Sequence, residues 1–327
     1  MSLRVLTADQ VRAALPMSEA IEAVGRAAAQ LSSGRAVLPL RTVLPTTHGA
    51  TLVMPAWLAD SEELVVKVVG VHDGNPALGL PRILGLVTVF DPVTGAPQAV
   101  MDAAALTALR TGAGGGLAAK LLARPNASEV ALIGAGAQAR SQLEAVLAVR
   151  PVRHVRVHAR RRGPTEAFVA SLSERWPELT LTVAPSAAEA VRHADIVIAA
   201  TTSSTPVFDD RDLAPGAHVT GVGSWQPTQQ EIPWRTVARA RVFADQREAA
   251  WAEAGDLIVA LGEGHIGRDH LAGELGELVL GQVVGREDAE QITFFKSVGL
   301  AVQDAAAGAA VVRAAEARGI GTVVPFP

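Results

Sequence analysis

The stretch Val130-Ala131-Leu132-Ile133-Gly134-Ala135-Gly136-Ala137-Gln138-Ala139 constrains the fold more than any other part of the chain. An apolar run of strand length meets Gly-x-Gly-x-x-Ala, and a helical pattern opens at Arg140. A dinucleotide pyrophosphate needs that order of strand, glycine turn and helix. Gly134 permits the tight turn, Gly136 admits phosphates to the backbone, and the small Ala139 lets helix and strand pack closely. The helix N-terminus then offers free N–H groups and a positive dipole end to the anion, and Ala137 and Gln138 in the turn join the cofactor candidates. A glycine triplet alone also serves ordinary turns, so the flanking strand and helix carry the inference.

The surrounding grammar agrees. From Glu129 onwards strand and helix patterns alternate, with apolar runs at 130–133, 155–158, 181–183, 196–200, 218–222 and 242–244. Successive buried runs of this kind predict parallel strands in a doubly wound sheet of Rossmann type. Before it, Thr7 with Gln10 spaces a capping box, and Ser18 precedes a stripe of Ile21, Val24 and Ala28, which predicts two helices. Runs at 37–44, 50–54, 64–69 and 84–90, with turn chemistry at Asp91-Pro92-Val93-Thr94-Gly95, predict an antiparallel, curled sheet. Asp102 is placed to cap a long helix towards Leu122, inside which Gly112-Ala113-Gly114-Gly115-Gly116 lies. The last segment, 299–318, is alanine-rich and helical, and Val323-Val324-Pro325 is expected to return to the first domain. The fold class is therefore α/β: a Rossmann-type doubly wound parallel sheet plus an α+β domain.

Composition excludes several classes. A length of 327 residues suits about two domains. The net charge of -4 gives no basic footprint for nucleic acid. With no cysteine, disulfide frameworks and thiolate chemistry are excluded. The first residues lack an apolar core of signal-peptide length, and no uncharged run reaches membrane-spanning length, so no membrane partner and a cytoplasmic address are expected. His193, His265 and His270 show no ligand spacing with acidic partners, so no metal is expected.

The cofactor is legible one strand later. In this fold a carboxylate at the end of the second strand accepts the ribose hydroxyls of NAD, whereas arginine suits the NADP phosphate. Here the strand ends Val157-His158-Ala159-Arg160-Arg161-Arg162, without a carboxylate. Arg160 and Arg161 lead this cluster, and NADP(H) is expected over NAD(H). Small residues follow the later strands, Thr201-Thr202-Ser203-Ser204 and Gly221-Val222-Gly223-Ser224. Loops at this carboxyl edge are where ligands of open sheets bind, which makes Thr201, Thr202, Ser203, Val222 and Gly223 candidates for the nicotinamide half.

Further motifs run through the chain: Lys67-Val68-Val69, Gly74-Asn75-Pro76-Ala77-Leu78-Gly79-Leu80-Pro81, Phe90-Asp91-Pro92-Val93-Thr94-Gly95, Leu106-Thr107-Ala108-Leu109-Arg110-Thr111 and Phe295-Lys296-Ser297-Val298-Gly299-Leu300-Ala301-Val302-Gln303-Asp304. In this order they resemble the ornithine cyclodeaminase/mu-crystallin family over nearly the whole chain. The resemblance implies a homodimer, a substrate-binding and dimerisation domain at 1–115 completed by 306–327, and a dinucleotide-binding domain at 116–305. It also implies an anion clamp of Arg41, Lys67 and Arg110 on a substrate α-carboxylate. Met54 and Trp225 fall at the substrate pocket, Lys296 among the cofactor residues, and Asp304 beside cofactor or clamp. Arg35 competes with Arg41 by proximity, and His72, which follows the lysine strand, is a weaker acid candidate. The residues read partly the same way unaided: an ammonium inside Val65-Val66-Lys67-Val68-Val69 is costly to bury unless paired.

Two departures from the family pattern direct the function. Trp225 stands where ornithine cyclodeaminases of this family place an aspartate, and Leu52 stands where they place a glutamate before Met54-Pro55. Both groups complementary to a distal ammonium are missing, and leaving that ammonium unpaired costs several kcal/mol. The expected activity is NAD(P)H-dependent reduction of small cyclic or linear α-imino acids of the ketimine or pyrroline-2-carboxylate type. It reverses as amino-acid dehydrogenation, with Lys67 donating a proton or orienting a water that does. Ornithine cyclodeamination, and cofactor and ligand binding without turnover as in mu-crystallins, are the alternatives.

Overall fold

Period-two alternation builds the first of two contact units, residues 1–110 with 300–327; the second is 111–299. The structure is a computed structural model that describes residues 2–326. In Gly49–Leu58 the residues Leu52, Met54, Ala56 and Leu58 are buried, and in Glu63–Val71 Val65, Lys67 and Val69 are. Such alternation marks a sheet with one covered face. Among the described residues that sheet has eight strands, ordered Thr322–Pro325, Ser2–Leu6, Pro97–Asp102, Ile83–Phe90, Glu63–Val71, Gly49–Leu58 and Ala36–Val37, with Thr42–Thr46 also pairing to Gly49–Leu58. Register carries one buried row across it: Met54 faces Lys67, Lys67 faces Val87, and Val87 faces Met101. The covering element is the helix Ala301–Ala317, which packs on these strands and on the helix Met17–Ser32. Its alanines allow the close approach.

Three details differ from the sequence reading. The sheet is not wholly antiparallel, because Ser2–Leu6 runs parallel to Pro97–Asp102. The run at 37–44 is split into Ala36–Val37 and Thr42–Thr46, with Pro39, which lacks an N–H for the ladder, in the gap. The strand Ser2–Leu6 itself lacked a bounding turn signal. The returning chain end does pair with it, Thr322–Pro325 lying antiparallel to Ser2–Leu6.

The second unit holds an eight-stranded sheet, all parallel: Thr180–Val183, His154–His158, Glu129–Ile133, Ile196–Ala199, His218–Gly221, Thr293–Lys296, Arg241–Ala244 and Leu271–Glu274. Its inner strands are buried on both faces, as crossover helices require. The order of the first five strands reverses between Glu129–Ile133 and Ile196–Ala199, which is the ligand-binding switch point of this fold. Leu271–Glu274 and Thr293–Lys296, each of four residues, escaped the sequence reading.

The helix Ala103–Leu122 begins where the Ala105 N–H donates to the Asp102 carboxylate at 2.7 Å. At its other end Arg150 donates to the carbonyls of Lys120 and Ala123, and Arg286 to that of Leu122. Guanidiniums there satisfy orphan carbonyls and oppose the negative dipole end. Gly112 and Gly115 are spaces as much as residues. A Cβ at Gly112 would lie 2.6 Å from the Ser141 carbonyl oxygen, and one at Gly115 would run into Gln142 Oε1. Gln142, fully buried, donates to the Thr111 carbonyl at 2.7 Å. The glycines thus draw the helix Ala137–Leu147 into contact. No helix among the described residues is long and apolar enough to cross a membrane.

Candidate active site

The glycine turn fits a pyrophosphate. Gly134 holds φ at +116°, a left-handed conformation that favours glycine, and a Cβ there would run into the Ala200 carbonyl. Its N–H donates to the His158 carbonyl at 2.8 Å, fixing the turn against the next strand. Gly136 precedes the helix Ala137–Leu147, and a Cβ on it would meet nothing within 4 Å. No side chain caps this helix, so its first N–H groups remain for an anion. Ala139 is fully buried, and Gln138 keeps a buried Oε1 without a hydrogen-bond partner beside the turn. Backbone donors and open ground together suit a dinucleotide.

At the end of His154–His158 no carboxylate appears. Arg160 and Arg161 are exposed, and neither guanidinium is held by a carboxylate among the described residues. Arg162 differs from them: its Nε donates to Glu166 at 2.8 Å.

The two later loops are joined by a residue that sequence reasoning missed. Glu231 is fully buried, and its Oε1 accepts the Thr201 N–H at 2.6 Å and the Thr201 hydroxyl at 2.7 Å. Its Oε2 accepts the N–H groups of Gly223 at 2.6 Å and Ser224 at 3.1 Å. Burial pushes its carboxyl above the usual range, with Lys296 opposing and Asp256 adding to the rise. The Ser203 N–H donates to Thr201 Oγ1 at 3.1 Å, and the Val222 N–H to the Ala199 carbonyl at 3.0 Å; Thr202 is exposed. Trp225 is half-buried, its N–H on Gln229 Oε1 at 3.3 Å. The structure places Lys296 beneath this layer, wholly buried, with Nζ 2.8 Å from Asp256 Oδ2. That approach is off the hydrogen-bonding direction, so it is an ion pair without a formed hydrogen bond. No local pattern pointed to Glu231; its glutamate lies in a loop and meets its partners only through the fold.

In the first unit Lys67, Arg110 and Asp304 converge. Lys67 Nζ donates to Asp304 Oδ2 at 2.5 Å, and Arg110 Nε to Asp304 Oδ1 at 3.0 Å. Arg110 Nη1 also donates to Gln303 Oε1 at 2.8 Å. Lys67 and Arg110 are 2% and 5% exposed and Asp304 not at all, so water screens none of these charges well. Burial lowers the Lys67 pKa from 10.5 to about 8; Asp304 opposes the fall, and the charges of Arg110 and Arg41 deepen it. Arg41 is thus near enough to be felt, while Arg35 is committed to Asp60 at 2.8 Å on the surface. Met54 and Leu52 are buried on the strand beside Lys67, Met54 directly opposite it. The His72 N–H donates to the Arg82 carbonyl, and its ring lies against Gly49 and Gly70. Lys67 and Arg110 thus share the single carboxylate of Asp304, with Arg41 close enough to act on Lys67.

The chain matches the model of the ornithine cyclodeaminase/mu-crystallin family over residues 1–318. It is 38% identical over 325 residues to a Delta(1)-pyrroline-2-carboxylate reductase of Bacillus cereus, covering 98% of this chain and 99% of that protein. The solved structure of the Thermococcus litoralis Delta(1)-pyrroline-2-carboxylate reductase, in complex with NADH and L-proline, is 38% identical with a TM-score of 0.93, covering 98% of this chain and 99% of the other. An archaeal alanine dehydrogenase, solved as a dimer with bound NAD, is 35% identical over the full length of both chains with a TM-score of 0.93. Glycine turn, parallel sheet, clamp residues and end-to-end similarity lead to one conclusion: the chain belongs to the ornithine cyclodeaminase/mu-crystallin family.

Proposed function

We propose that the protein is a nicotinamide-dependent reductase of small α-imino acids, with a cyclic ketimine of the pyrroline-2-carboxylate type as substrate and amino-acid dehydrogenation as the reverse reaction. The observation that carries this reading is the buried cluster of Lys67 and Arg110 on the single carboxylate of Asp304, with excess positive charge. Arg41, Lys67 and Arg110 take the substrate α-carboxylate, each charge-assisted bond contributing about 1.5–3 kcal/mol. Asp304 sets their positions by accepting from Lys67 and Arg110 on separate oxygens. The apolar Met54, and Trp225 on its loop, favour an uncharged substrate body. Bound nicotinamide supplies the hydride to the imine carbon. Lys67, already lowered to about 8, gives up its proton to the nitrogen, directly or through a water it orients. Carboxylate fixation supplies the positional part of the rate.

The cofactor reading rests on the turn of Gly134, Gly136, Ala137, Gln138 and Ala139 for the pyrophosphate, and on Thr201, Thr202, Ser203, Val222 and Gly223 for the nicotinamide half. Lys296 completes the cofactor set, buried on Asp256, whose other oxygen accepts the Glu231 N–H. Arg160 and Arg161, exposed and uncommitted, favour the 2′-phosphate of NADP(H) over NAD(H). Partnership with a second copy fits the outer face of the first sheet, where Val68 and Leu86 lie directly paired at 41% and 53% exposure with Leu84 two residues along. The archaeal relative solved as a dimer supports that partner.

The deciding experiment is reduction of pyrroline-2-carboxylate followed by loss of NADPH and NADH absorbance. Activity is expected with both, the NADPH rate falling when Arg160 and Arg161 become Ala. Arg110→Ala is expected to lower kcat/KM roughly 10- to 100-fold, the worth of one charged hydrogen bond. An unchanged rate in Arg110→Ala removes the clamp, and ammonia release from ornithine at a comparable rate replaces the reductase reading with cyclodeamination.

A further inference from the structure

We propose that Glu231 is the positioning residue for the nicotinamide half of the cofactor, acting as a staple between the two loops that leave Ile196–Ala199 and His218–Gly221. The inference rests on the cofactor reading above and extends it to a residue that touches no ligand. Each carboxylate oxygen takes two donors: Oε1 the N–H and hydroxyl of Thr201, Oε2 the N–H groups of Gly223 and Ser224. Every acceptor direction is committed to one loop or the other, so the group has no capacity left for substrate or cofactor. Its work is done on the backbone.

The staple is itself anchored. The N–H groups of Glu231 and Ile232 both donate to Asp256 Oδ1, at 2.7 and 2.9 Å, and Asp256 Oδ2 faces Lys296 Nζ at 2.8 Å. Glu231, Asp256 and Lys296 are all fully buried. A buried ionic group of this size is expensive to assemble, and replacing it with apolar packing is frequently neutral or stabilising. Stability alone therefore gives weak grounds for it, whereas holding two loops in one register needs a two-sided acceptor. Gly223 shows how tight that register is: a Cβ would lie 2.6 Å from both Glu231 oxygens and run into the Thr201 carbonyl. Thr201 and Gly223 sit at the sheet edge where the reacting ring is expected, while the pyrophosphate turn at Gly134–Gly136 receives no bond from Glu231.

The separation gives the test. In the full-length protein, Glu231→Gln preserves shape, but its amide nitrogen faces donors on one of the two loops. Binding of NADH and NADPH is followed by nicotinamide fluorescence; ADP-ribose and its 2′-phosphate, which lack the nicotinamide, are measured by calorimetry. The expected result is about tenfold weaker binding of the dinucleotides with ADP-ribose binding unchanged within about twofold, the size of one mispaired buried donor. Equal loss for both ligand types, or no loss for either, overturns the role. Should Glu231→Gln fail to fold, Thr201→Val removes the hydroxyl bond to Glu231 along with the one from the Ser203 N–H, and the same selective loss at about threefold or more is expected; its absence overturns the role equally. A wild-type protein that binds neither dinucleotide defeats the cofactor reading itself. Tight binding without turnover of any imino acid defeats only the reductase reading and leaves the staple standing.

Discussion

Lys67 shows what a single residue can disclose. The chain has three lysines among its 29 basic residues, and two of the three, Lys67 and Lys296, are buried against an aspartate. Arginine serves elsewhere; a compact, titratable ammonium is kept where burial changes its chemistry. Its intrusion into a valine run was plain in the sequence, but its partner was not, because Asp304 lies 237 positions away. Asp304→Asn leaves two buried cations against each other, and a loss of about 3–5 kcal/mol is expected in chemical denaturation. The pH dependence has a definite sign. Lys67 titrates near 8 in the folded state and at 10.5 as a free side chain, so between those values the unfolded chain holds a proton that the folded one has lost. Folding stability at this residue therefore rises with pH over that window, while below about 8 the full cost of the buried cation is felt. Activity runs the other way: kcat/KM for imine reduction is expected to fall as pH rises through about 8, measured over pH 6–10. A flat profile there removes Lys67 as proton donor.

At the scale of elements, the glycine-rich part of Ala103–Leu122 is the instructive case. It was legible as helix, since apolar periodicity continues through it, but the reason for the glycines was not, because their neighbours come from Ala137–Leu147. Two opposed effects meet at Gly112→Ala. Helix propensity favours alanine by about 0.5–1 kcal/mol, whereas forcing a methyl against the Ser141 backbone carbonyl, 2.6 Å from where the Cβ would lie, costs about 1–3 kcal/mol. Steric cost wins, and a lower melting temperature is expected together with weaker dinucleotide binding, since the displaced helix carries the pyrophosphate turn. Gly262→Ala, at the end of the helix Gly255–Gly262 where a Cβ meets nothing within 4 Å, serves as the control and is expected to be neutral or slightly stabilising. Opposite signs in the two variants, read by thermal denaturation, are the measurement. The strands missed in the sequence also take their place from neighbours: Thr293–Lys296 lies between two strands of its own length, and Leu271–Glu274 pairs with Arg241–Ala244 at the sheet edge.

For the whole molecule, the alternation of strand and helix from Glu129 was enough to give the parallel sheet, and period-two runs gave most of the other. Strand order was beyond reach, because Thr293–Lys296 inserts between His218–Gly221 and Arg241–Ala244, which precede it in the chain. The clamp residues were nameable individually through resemblance to a family; Glu231 was not, having neither motif nor periodic context. The apolar outer face of the first sheet bears on assembly. Leu86→Asp places a charge where Val68 stands opposite, and sedimentation is expected to shift from dimer to monomer; a dimer that persists unchanged moves the interface elsewhere.

The helix Ala301–Ala317 has one consequence for how the molecule comes into being. A ribosome delivers the whole dinucleotide unit, 111–299, before it delivers Asp304. Until then the nascent amino-terminal sheet lacks its cover, and Lys67 and Arg110 have no counter-charge to be buried with. The pairing of these charges is thus among the last features to mature during synthesis, and a chain stalled short of residue 304 carries the parallel sheet while Lys67 and Arg110 still lack Asp304.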